Sequence, residues 1–367
     1  MTQITSLRTT FSGTIITPAD ATYDTARKVY MAAGSPLAIL VPATTKDIAS
    51  AIAFARKNNL PLSVRSGGHS SMGHSTNNGG IVIDMSKFNA VTILNEADGL
   101  VRVGSGAVWS EVAKQLKPHS LVISAGDSAS VGVGGLTVGG GIGIMVRKYG
   151  LAIDQLVGAE VVTADGRVLR ASKDENADLF WGIRGGGGNF GIVTHFDFAA
   201  HHLRQVFFGP VMYKLDNLKG LLTGWRDTSR QSPRELTTTL VVMPGFGGNP
   251  PFGQLLFCYA GDDEVAMKKT LAPFLKIAPV VSQQITKMPY AHALQEAHPP
   301  AGLVPSVKDA LIEHLDDSFI DIITTIYTNA TNKMMFLRSL GGAVNEVPVG
   351  ETAYAHRNHE ALLVCAV

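Results

Sequence analysis

Cysteine and long hydrophobic runs are both scarce in this chain. Only two cysteines, Cys258 and Cys365, occur among 367 residues, and their spacing matches neither a disulfide framework nor a zinc site. No apolar run approaches the roughly 18 residues that a membrane-spanning helix needs. The first residues also lack the basic start and apolar core of a secretory signal peptide. The sequence therefore predicts a cytoplasmic protein with no metal site and no membrane segment.

Excess charge of either sign is also lacking. The net charge of +1 gives no indication of binding to nucleic acid or to a membrane surface. A hydrophobic content of 45% over 367 residues is enough for a large core and favours two domains. Glycine is the abundant residue, with 39 copies, against an average usage of about 7%. The glycines are clustered, which indicates ligand-binding loops and not flexible linkers.

The stretch Arg65-Ser66-Gly67-Gly68-His69-Ser70 is the most informative of these clusters. It follows a short apolar run, Leu62-Ser63-Val64, so it is predicted to lie where a strand ends. Adjacent glycines let the backbone approach a ligand closely, and bare N–H groups beside an arginine can hold a phosphate. A histidine within the loop is a nucleophile that can bond covalently to the ligand. The alternative is a glycine-rich turn with a surface histidine.

The rest of the pattern predicts an ordered succession of elements. A strand, a helix over Lys46–Asn58 and a second strand form a unit over 36–64, with Thr44 or Thr45 as N-cap and Asp47 in the first turn. The Asp165-Gly166 pair indicates a hairpin turn. Beyond about 204, where we place a domain boundary, glycine becomes rarer. Further predicted elements are strands at 80–85, 100–103, 237–242 and 255–259, and helices at 109–116, 263–275 and 306–315.

A later cluster contains a formal G-x-G-x-x-G at Gly186, Gly188 and Gly191. This pattern marks a nicotinamide-dinucleotide site only when it follows a strand and opens a helix. Here the predicted order is reversed, with a helix over 175–183 before it and a strand over 192–198 after it. An NAD-dependent dehydrogenase is therefore the less favoured alternative.

Three separate glycine clusters, at 65–70, 131–143 and 184–194, are more than one pyrophosphate requires. They suit a long ligand that lies along a groove of backbone and is contacted at several points. FAD meets this description, because it combines a pyrophosphate, a ribityl chain and a flat ring system. Tight turns and close strand packing are the alternative explanation for some of these glycines, such as Gly139 or Gly185.

These motifs resemble those of the FAD-linked oxidoreductases of the vanillyl-alcohol oxidase and p-cresol methylhydroxylase type. Within that family the chain is similar to the berberine-bridge-enzyme-like group, of the 6-hydroxy-D-nicotine oxidase kind. The resemblance is carried by 65–70, 80–84, 131–143 and 178–191. It implies an α+β fold with two domains: an FAD-binding domain at 33–204, with the segment 1–32 packed on it, and a substrate domain at 205–367 of antiparallel sheet covered by helices.

The resemblance also implies a function. His69 corresponds to the residue that carries FAD covalently on the flavin 8α carbon, and Ser128 stands where some relatives have a second attachment through cysteine. A single covalent attachment is therefore expected. Val131 resembles the residue found in oxidases at the position that controls oxygen access. The implied reaction is hydride transfer from a small alcohol, sugar, amine or alkaloid-like substrate to FAD, with O2 as electron acceptor.

The resemblance assigns the binding residues individually but leaves the catalytic base unknown. Tyr290, His292 and His356 are hydroxylic or titratable residues of the second half, and no role is given to them. Nothing in the sequence indicates an oligomeric state. The cofactor-binding residues carried over from the family are Arg65, Ser66, Gly67, Gly68, His69, Ser70, Gly73, Val131, Gly132, Gly134, Gly135, Gly139, Gly140, Gly143, Gly188, Asn189, Gly191, Ile192 and Val193.

The end of the sequence departs from the family pattern. Relatives continue for about a hundred residues past the position of Val367, a stretch that completes the substrate domain. The last residues here, from Glu360 onward, read as a strand, whereas chain ends are commonly exposed and frayed. This leads to a further hypothesis, that the chain lacks its C-terminal segment and is a flavin-binding protein with little or no activity.

Overall fold

The computed structural model describes residues 2–245, 250–296, 306–329 and 333–366. These residues form two compact units. The first unit comprises Met1–Gly141, Ala152–His201 and Gly350–Ala355, and the second comprises Ile142–Leu151, His202–Val349 and His356–Val367. The predicted segments 1–32, 33–204 and 205–367 stay predictions. Within the described ranges, no helix combines the length and the apolar composition needed to cross a bilayer.

The first unit contains a four-stranded sheet near the start of the chain. Its strands, in spatial order, are Thr14–Ile16, Ala38–Val41, Ile81–Asp84 and Leu62–Arg65. The last three run parallel, and the helix Thr45–Lys57 joins two of them. Its apolar side chains Ile48 and Ile52 share a buried core with Leu40 and Ile83 of the sheet. The predicted strand–helix–strand unit over 36–64 is therefore confirmed.

A capping box fixes the start of this connecting helix. The Thr44 hydroxyl accepts a hydrogen bond from the Asp47 N–H at 3.2 Å, and the Asp47 carboxylate accepts one from the Thr44 N–H at 3.0 Å. The same carboxylate, 2% exposed, accepts further bonds from Ser12 and Ala43. Burial opposes its charge, but these hydrogen bonds outweigh that cost and hold the pKa of Asp47 below its ordinary value.

We expect Asp47→Asn to lower the free energy of unfolding at pH 7 by about 2–3 kcal/mol, because an amide cannot replace a charged acceptor of several N–H groups. A lowered folded pKa stabilises the protein above the ordinary pKa of about 4, and this contribution is lost as the pH falls through the folded value. The deficit of the variant should therefore shrink at pH 3. Urea unfolding at both pH values measures it.

Asp24→Asn is the matched control, since the Asp24 side chain is 83% exposed and contacts only Arg27 among the ion pairs of the described residues. Its unfolding curve should match that of the unaltered protein. An Asp47→Asn deficit that is the same at pH 7 and pH 3 would contradict the charge argument.

A second, antiparallel sheet of five strands completes the framework of the first unit. Its strands are Val168–Ser172, Leu156–Val162, Ile192–Ala199, Leu100–Gly104 and Val91–Asn95, in that spatial order. The predicted hairpin around Asp165-Gly166 is present, with Val162 opposite Val168. Other elements of this unit are the helices Thr2–Leu7, Tyr23–Ala26, Trp109–Leu116, Val133–Val138 and Ala177–Ile183, four 3-10 turns at Met85–Lys87, Lys117–His119, Ala152–Gln155 and Gly187–Phe190, and the short strands Lys28–Val29, Ala32–Ala33 and Leu121–Val122.

The second unit is one large antiparallel sheet with helices packed on it. The sheet order is Val280–Gln283, Val206–Lys214, Phe252–Tyr259, Leu236–Met243, Met334–Ser339, Ala361–Ala366 and Val307–Ile312, and Thr286–Met288 also pairs with Val206–Lys214. Trp225 and Ile320, from two different helices, share a buried core with Leu240 and Phe257 of the sheet. The helices are Val146–Tyr149, Leu218–Gln231, Glu264–Leu271, Tyr290–Ala293, Asp317–Asn329 and Ala343–Glu346, with a 3-10 turn at Phe274–Lys276.

One predicted element of this unit is wrong. The predicted helix over 306–315 is in fact the strand Val307–Ile312, which pairs antiparallel with Ala361–Ala366. A segment this short fits both periods, and the choice depends on the partner strand from the other end of the sequence. The predicted strand at the end of the chain is confirmed and supplies that partner.

Candidate functional site

A groove of about 990 Å³ lies in the first unit and is the candidate functional site. Three segments far apart in sequence supply most of its wall: 62–76, 131–139 and 187–193. Met85 and Ser105 complete it. This volume is at the upper end of the range of about 300–1,000 Å³ typical of small-molecule sites. The groove therefore has room for a large ligand.

Most of the residues predicted to bind the cofactor meet at this groove. Three of the nineteen predicted residues, Arg65, Gly140 and Gly143, are not part of its wall. The sixteen that line the groove are Ser66, Gly67, Gly68, His69, Ser70, Gly73, Val131, Gly132, Gly134, Gly135, Gly139, Gly188, Asn189, Gly191, Ile192 and Val193.

Glycines allow the first two segments to meet backbone to backbone. A Cβ atom on Gly67 would lie 2.3 Å from the Gly132 nitrogen, and a Cβ atom on Gly132 would lie 2.0 Å from the Gly67 nitrogen. Ser66 fastens this junction, because its hydroxyl donates to the Ser105 carbonyl at 2.6 Å and accepts from the Gly134 N–H at 3.2 Å. Both glycines are thus required by close approach of the two loops.

We expect Gly132→Ala to lower the free energy of unfolding by about 1–3 kcal/mol, because the added methyl group overpacks this junction. Gly135→Ala is the matched control on the same segment. A Cβ atom there meets nothing within 4 Å, and alanine is favoured over glycine in the helix Val133–Val138. Thermal unfolding of both variants measures the difference. Equal losses in the two would contradict the role given to the junction.

Arg65 does not face the groove, although the sequence predicted it to assist a phosphate cradle. The residue is 8% exposed, and its guanidinium donates to the Asp84 carboxylate, with Nη2–Oδ2 at 2.5 Å and Nε–Oδ2 at 3.0 Å. It also donates to the Ala26 carbonyl at 2.6 Å. Arg65 and Asp84 are register partners on adjacent parallel strands. The arginine charge is therefore used to hold the sheet together.

Gly140 and Gly143 also lie outside the groove wall. Gly140 has a φ of +117°, and a Cβ atom there would lie 2.8 Å from the Tyr354 ring. Tight packing therefore explains this glycine, which was the alternative considered for part of the cluster. Gly143 belongs to residues 142–151, which are part of the second unit.

The walls of the groove leave space and polar atoms for a ligand. A Cβ atom added at Gly135, Gly187 or Gly188 would meet nothing within 4 Å. The buried hydroxyls of Thr76 and Ser105 are at the wall and have no hydrogen-bond partner among the described residues. Buried hydroxyls are normally paired, so these two are available to a ligand. The arrangement fits a long ligand that is bound by backbone and hydroxyl groups, as FAD would be.

Several groove residues were missed by the sequence analysis. They include His74, Thr76 and Ser105, and the apolar side chains of Leu62 and Val64. Leu62 and Val64 are 37% and 40% exposed, although they are large apolar residues on a strand. The alternation of these two apolar residues just before a glycine loop was the only sequence signal for this part of the groove wall.

The helix and the strand on either side of the glycines Gly186, Gly188 and Gly191 occur in the order that the sequence predicted. The helix Ala177–Ile183 precedes Gly186, and the strand Ile192–Ala199 follows Gly191. A nicotinamide-dinucleotide fingerprint requires the opposite order, strand before helix. The prediction of a reversed context is confirmed.

Val131 is the first residue of the second segment, and Ser128 comes three residues before it. Val131 is half-buried and lines the groove. Ser128 is buried and is not part of the groove wall.

Both cysteines belong to the second unit, and burial raises the pKa of the Cys258 thiol to about 12. That thiol therefore stays protonated and unreactive near neutral pH.

Comparison with known proteins identifies the family. Residues 36–172 match the family described as the FAD binding domain. The FAD-linked oxidoreductase YgaK of Bacillus subtilis, described as uncharacterized, is 31% identical over 96% of this chain and 80% of its own length. The (R)-6-hydroxynicotine oxidase of Paenarthrobacter nicotinovorans is 35% identical over 63% of this chain and 51% of its own length.

Solved structures show the same fold. The BBE-like 1 protein of Physcomitrella patens has a TM-score of 0.88 at 23% identity, covering 100% of this chain and 84% of that one. Glucooligosaccharide oxidase from Acremonium strictum, whose structure is described with a 6-S-cysteinyl, 8α-N1-histidyl FAD, has a TM-score of 0.87 at 23% identity over 100% of this chain and 81% of its own. The comparisons give no support to the hypothesis of a flavin-binding protein without activity. The chain belongs to the FAD-linked oxidoreductases, is an FAD-dependent enzyme, and has the fold of the BBE-like structures.

Proposed function

We propose that the groove binds FAD covalently through His69 and that the protein oxidises a small alcohol, sugar, amine or alkaloid-like molecule with dioxygen as electron acceptor. The observation that carries this proposal is the meeting of three distant glycine-containing segments along one groove of about 990 Å³. The relatives act on comparable molecules, since two of them are named as oxidases of 6-hydroxynicotine and of chitooligosaccharide.

The residues of the groove would hold the cofactor in two ways. The main chain around Gly187 and Gly188, where an added Cβ atom would meet nothing within 4 Å, would supply N–H donors to the pyrophosphate, because glycine allows close approach of backbone to ligand. The unpaired hydroxyls of Thr76 and Ser105 would bond to polar atoms of the ligand. When bound, the flavin ring accepts a hydride and passes its electrons to dioxygen.

His69 would form the covalent bond. One imidazole nitrogen of His69 would form the bond to the cofactor and give up its proton, and dioxygen would take up the two electrons and two hydrogens released, as hydrogen peroxide. The bond keeps the cofactor in the groove between turnovers.

His69 would be the single point of attachment. Ser128 stands where some relatives have a cysteine, and a serine hydroxyl is a far weaker nucleophile than a thiolate. The two cysteines of the chain, Cys258 and Cys365, lie on strands of the second unit. Mass spectrometry of a peptide digest tests this expectation, and a peptide pair joined by one flavin would overturn it.

The experiment that tests the proposal uses the purified protein in air. The acid-precipitated pellet should be yellow, and a panel of sugars, alcohols, amines and alkaloid-like compounds should include one that bleaches the flavin under nitrogen without added nicotinamide. Readmission of air should restore the colour and produce hydrogen peroxide. A colourless pellet would overturn covalent attachment, and slow reoxidation would overturn dioxygen as the acceptor. The cytoplasmic location stays a prediction from the sequence.

A further inference from the structure

The ring of Tyr30 is stacked on the ring of His69. The two ring centroids are 4.5 Å apart, and the planes are inclined by 22°. Tyr30 lies between the short paired strands Lys28–Val29 and Ala32–Ala33, which form a small hairpin. Offset-stacked aromatic pairs at this separation are attractive. The hairpin therefore places an aromatic plane directly against the imidazole.

The backbone of the hairpin is fastened to the same loop. The Tyr30 N–H donates to the Gly68 carbonyl at 3.0 Å, one residue before the histidine. Gly68 has a φ of +73°, which L-residues with side chains rarely adopt, and the Val29 side chain lies beside it. The guanidinium of Arg65 also donates to the Ala26 carbonyl, just ahead of the hairpin. The position of the Tyr30 ring is thus set by the loop that carries His69.

We infer that Tyr30 is a positioning residue for flavin attachment, which fixes the plane of the His69 imidazole so that a ring nitrogen faces the groove. This inference rests on the proposed function. The lone pair of an imidazole nitrogen lies in the ring plane, so rotation about the Cβ–Cγ bond would turn it away from the 8α carbon. Holding a nucleophile in its reactive orientation accelerates bond formation without a change in its chemistry.

The contact is made by the aromatic ring and not by the phenol hydroxyl. Among the residues that the structure describes, the Tyr30 hydroxyl has no hydrogen-bond partner in the chain. Tyr30 is not part of the groove wall, whereas His69 is. Tyr30 is therefore expected to act through His69, and phenylalanine should replace it.

The test follows attachment directly. The full chain is produced in riboflavin-auxotrophic cells, FAD is added, and acid-precipitable flavin is measured over time. Tyr30→Phe should attach FAD within about twofold of the unaltered rate, and Tyr30→Leu should be about tenfold slower. Tyr30→Met serves as a second non-aromatic variant if the leucine variant does not fold. Equal rates for the aromatic and non-aromatic variants would overturn the inference.

A second measurement separates positioning from a structural effect. In a His69→Ala background FAD is expected to bind without a covalent bond, and its affinity is titrated by flavin fluorescence. Adding Tyr30→Leu there should change the affinity by less than about twofold, because Tyr30 would have no imidazole to orient. A large loss of affinity would mean that Tyr30 supports the groove itself and would overturn the inference. If the unaltered protein never acquires acid-stable flavin, the proposed attachment itself fails. If it does, and the aromatic and non-aromatic variants attach FAD at equal rates, only the inference about Tyr30 fails.

Discussion

Replacement of His69 by alanine is expected to release all of the flavin into the supernatant on acid precipitation. His69 lines the groove, and its imidazole is the nucleophile through which we propose that FAD is attached. Alanine leaves the groove intact but cannot form the bond, so the folded variant, before precipitation, should still bind FAD reversibly. The measurement is the flavin absorbance of pellet and supernatant after precipitation, together with in-gel fluorescence of the denatured chain.

His74→Ala is the matched control for this variant. His74 lies five residues farther along the same segment and also lines the groove, so its removal tests whether any histidine at the wall suffices. Its flavin should stay in the pellet. Acid-stable flavin in the His69→Ala protein would show that the attachment lies elsewhere. Loss of attachment in the His74→Ala control would show that the effect of His69→Ala is not specific to that residue.

Asp84→Ala is expected to lower the free energy of unfolding by about 3–5 kcal/mol, because it leaves the buried guanidinium of Arg65 without a counter-charge. The side chains of Arg65 and Asp84 are 9% and 15% exposed, so water cannot fully replace the lost carboxylate. Since Arg65 lies directly before the binding loop, FAD affinity should fall as well. Chemical unfolding and FAD titration measure the two effects.

Two comparisons identify the cause of that loss. The double variant Arg65→Met/Asp84→Ala removes both charges and should recover more than half of the stability, because no buried charge is left unpaired. Glu111→Ala removes one partner of an exposed pair, with Lys114 at 3.8 Å, and should leave the unfolding curve unchanged. A double variant as unstable as Asp84→Ala would contradict the explanation by an uncompensated charge.

Local pattern was enough to predict much of this protein. The N-cap threonine with Asp47 in the first turn, the strand–helix–strand unit over 36–64 and the hairpin at Asp165-Gly166 were predicted from residues near one another in sequence. The reversed order of elements around Gly186–Gly191 is also local, and it was enough to disfavour a nicotinamide site. Such features form wherever the short-range hydrogen bonds and turn preferences agree.

What the sequence could not supply was the partner of each residue across long separations. Arg65 and a phosphate-binding arginine look the same in sequence, and only the register with Asp84 assigns its charge to the sheet. The segment 307–312 became a strand because Ala361–Ala366 offered it hydrogen bonds.

By itself, then, the sequence determined the loops, their glycines and the histidine that makes FAD the expected ligand. Tertiary structure alone decided which of these meet. It joined Gly67 to Gly132 at a distance that excludes side chains, left the hydroxyls of Thr76 and Ser105 without a partner among the described residues, and stacked Tyr30 on His69. The physical reason is that a local pattern fixes backbone conformation, whereas close packing and pairing of charges depend on neighbours that only the folded chain brings together.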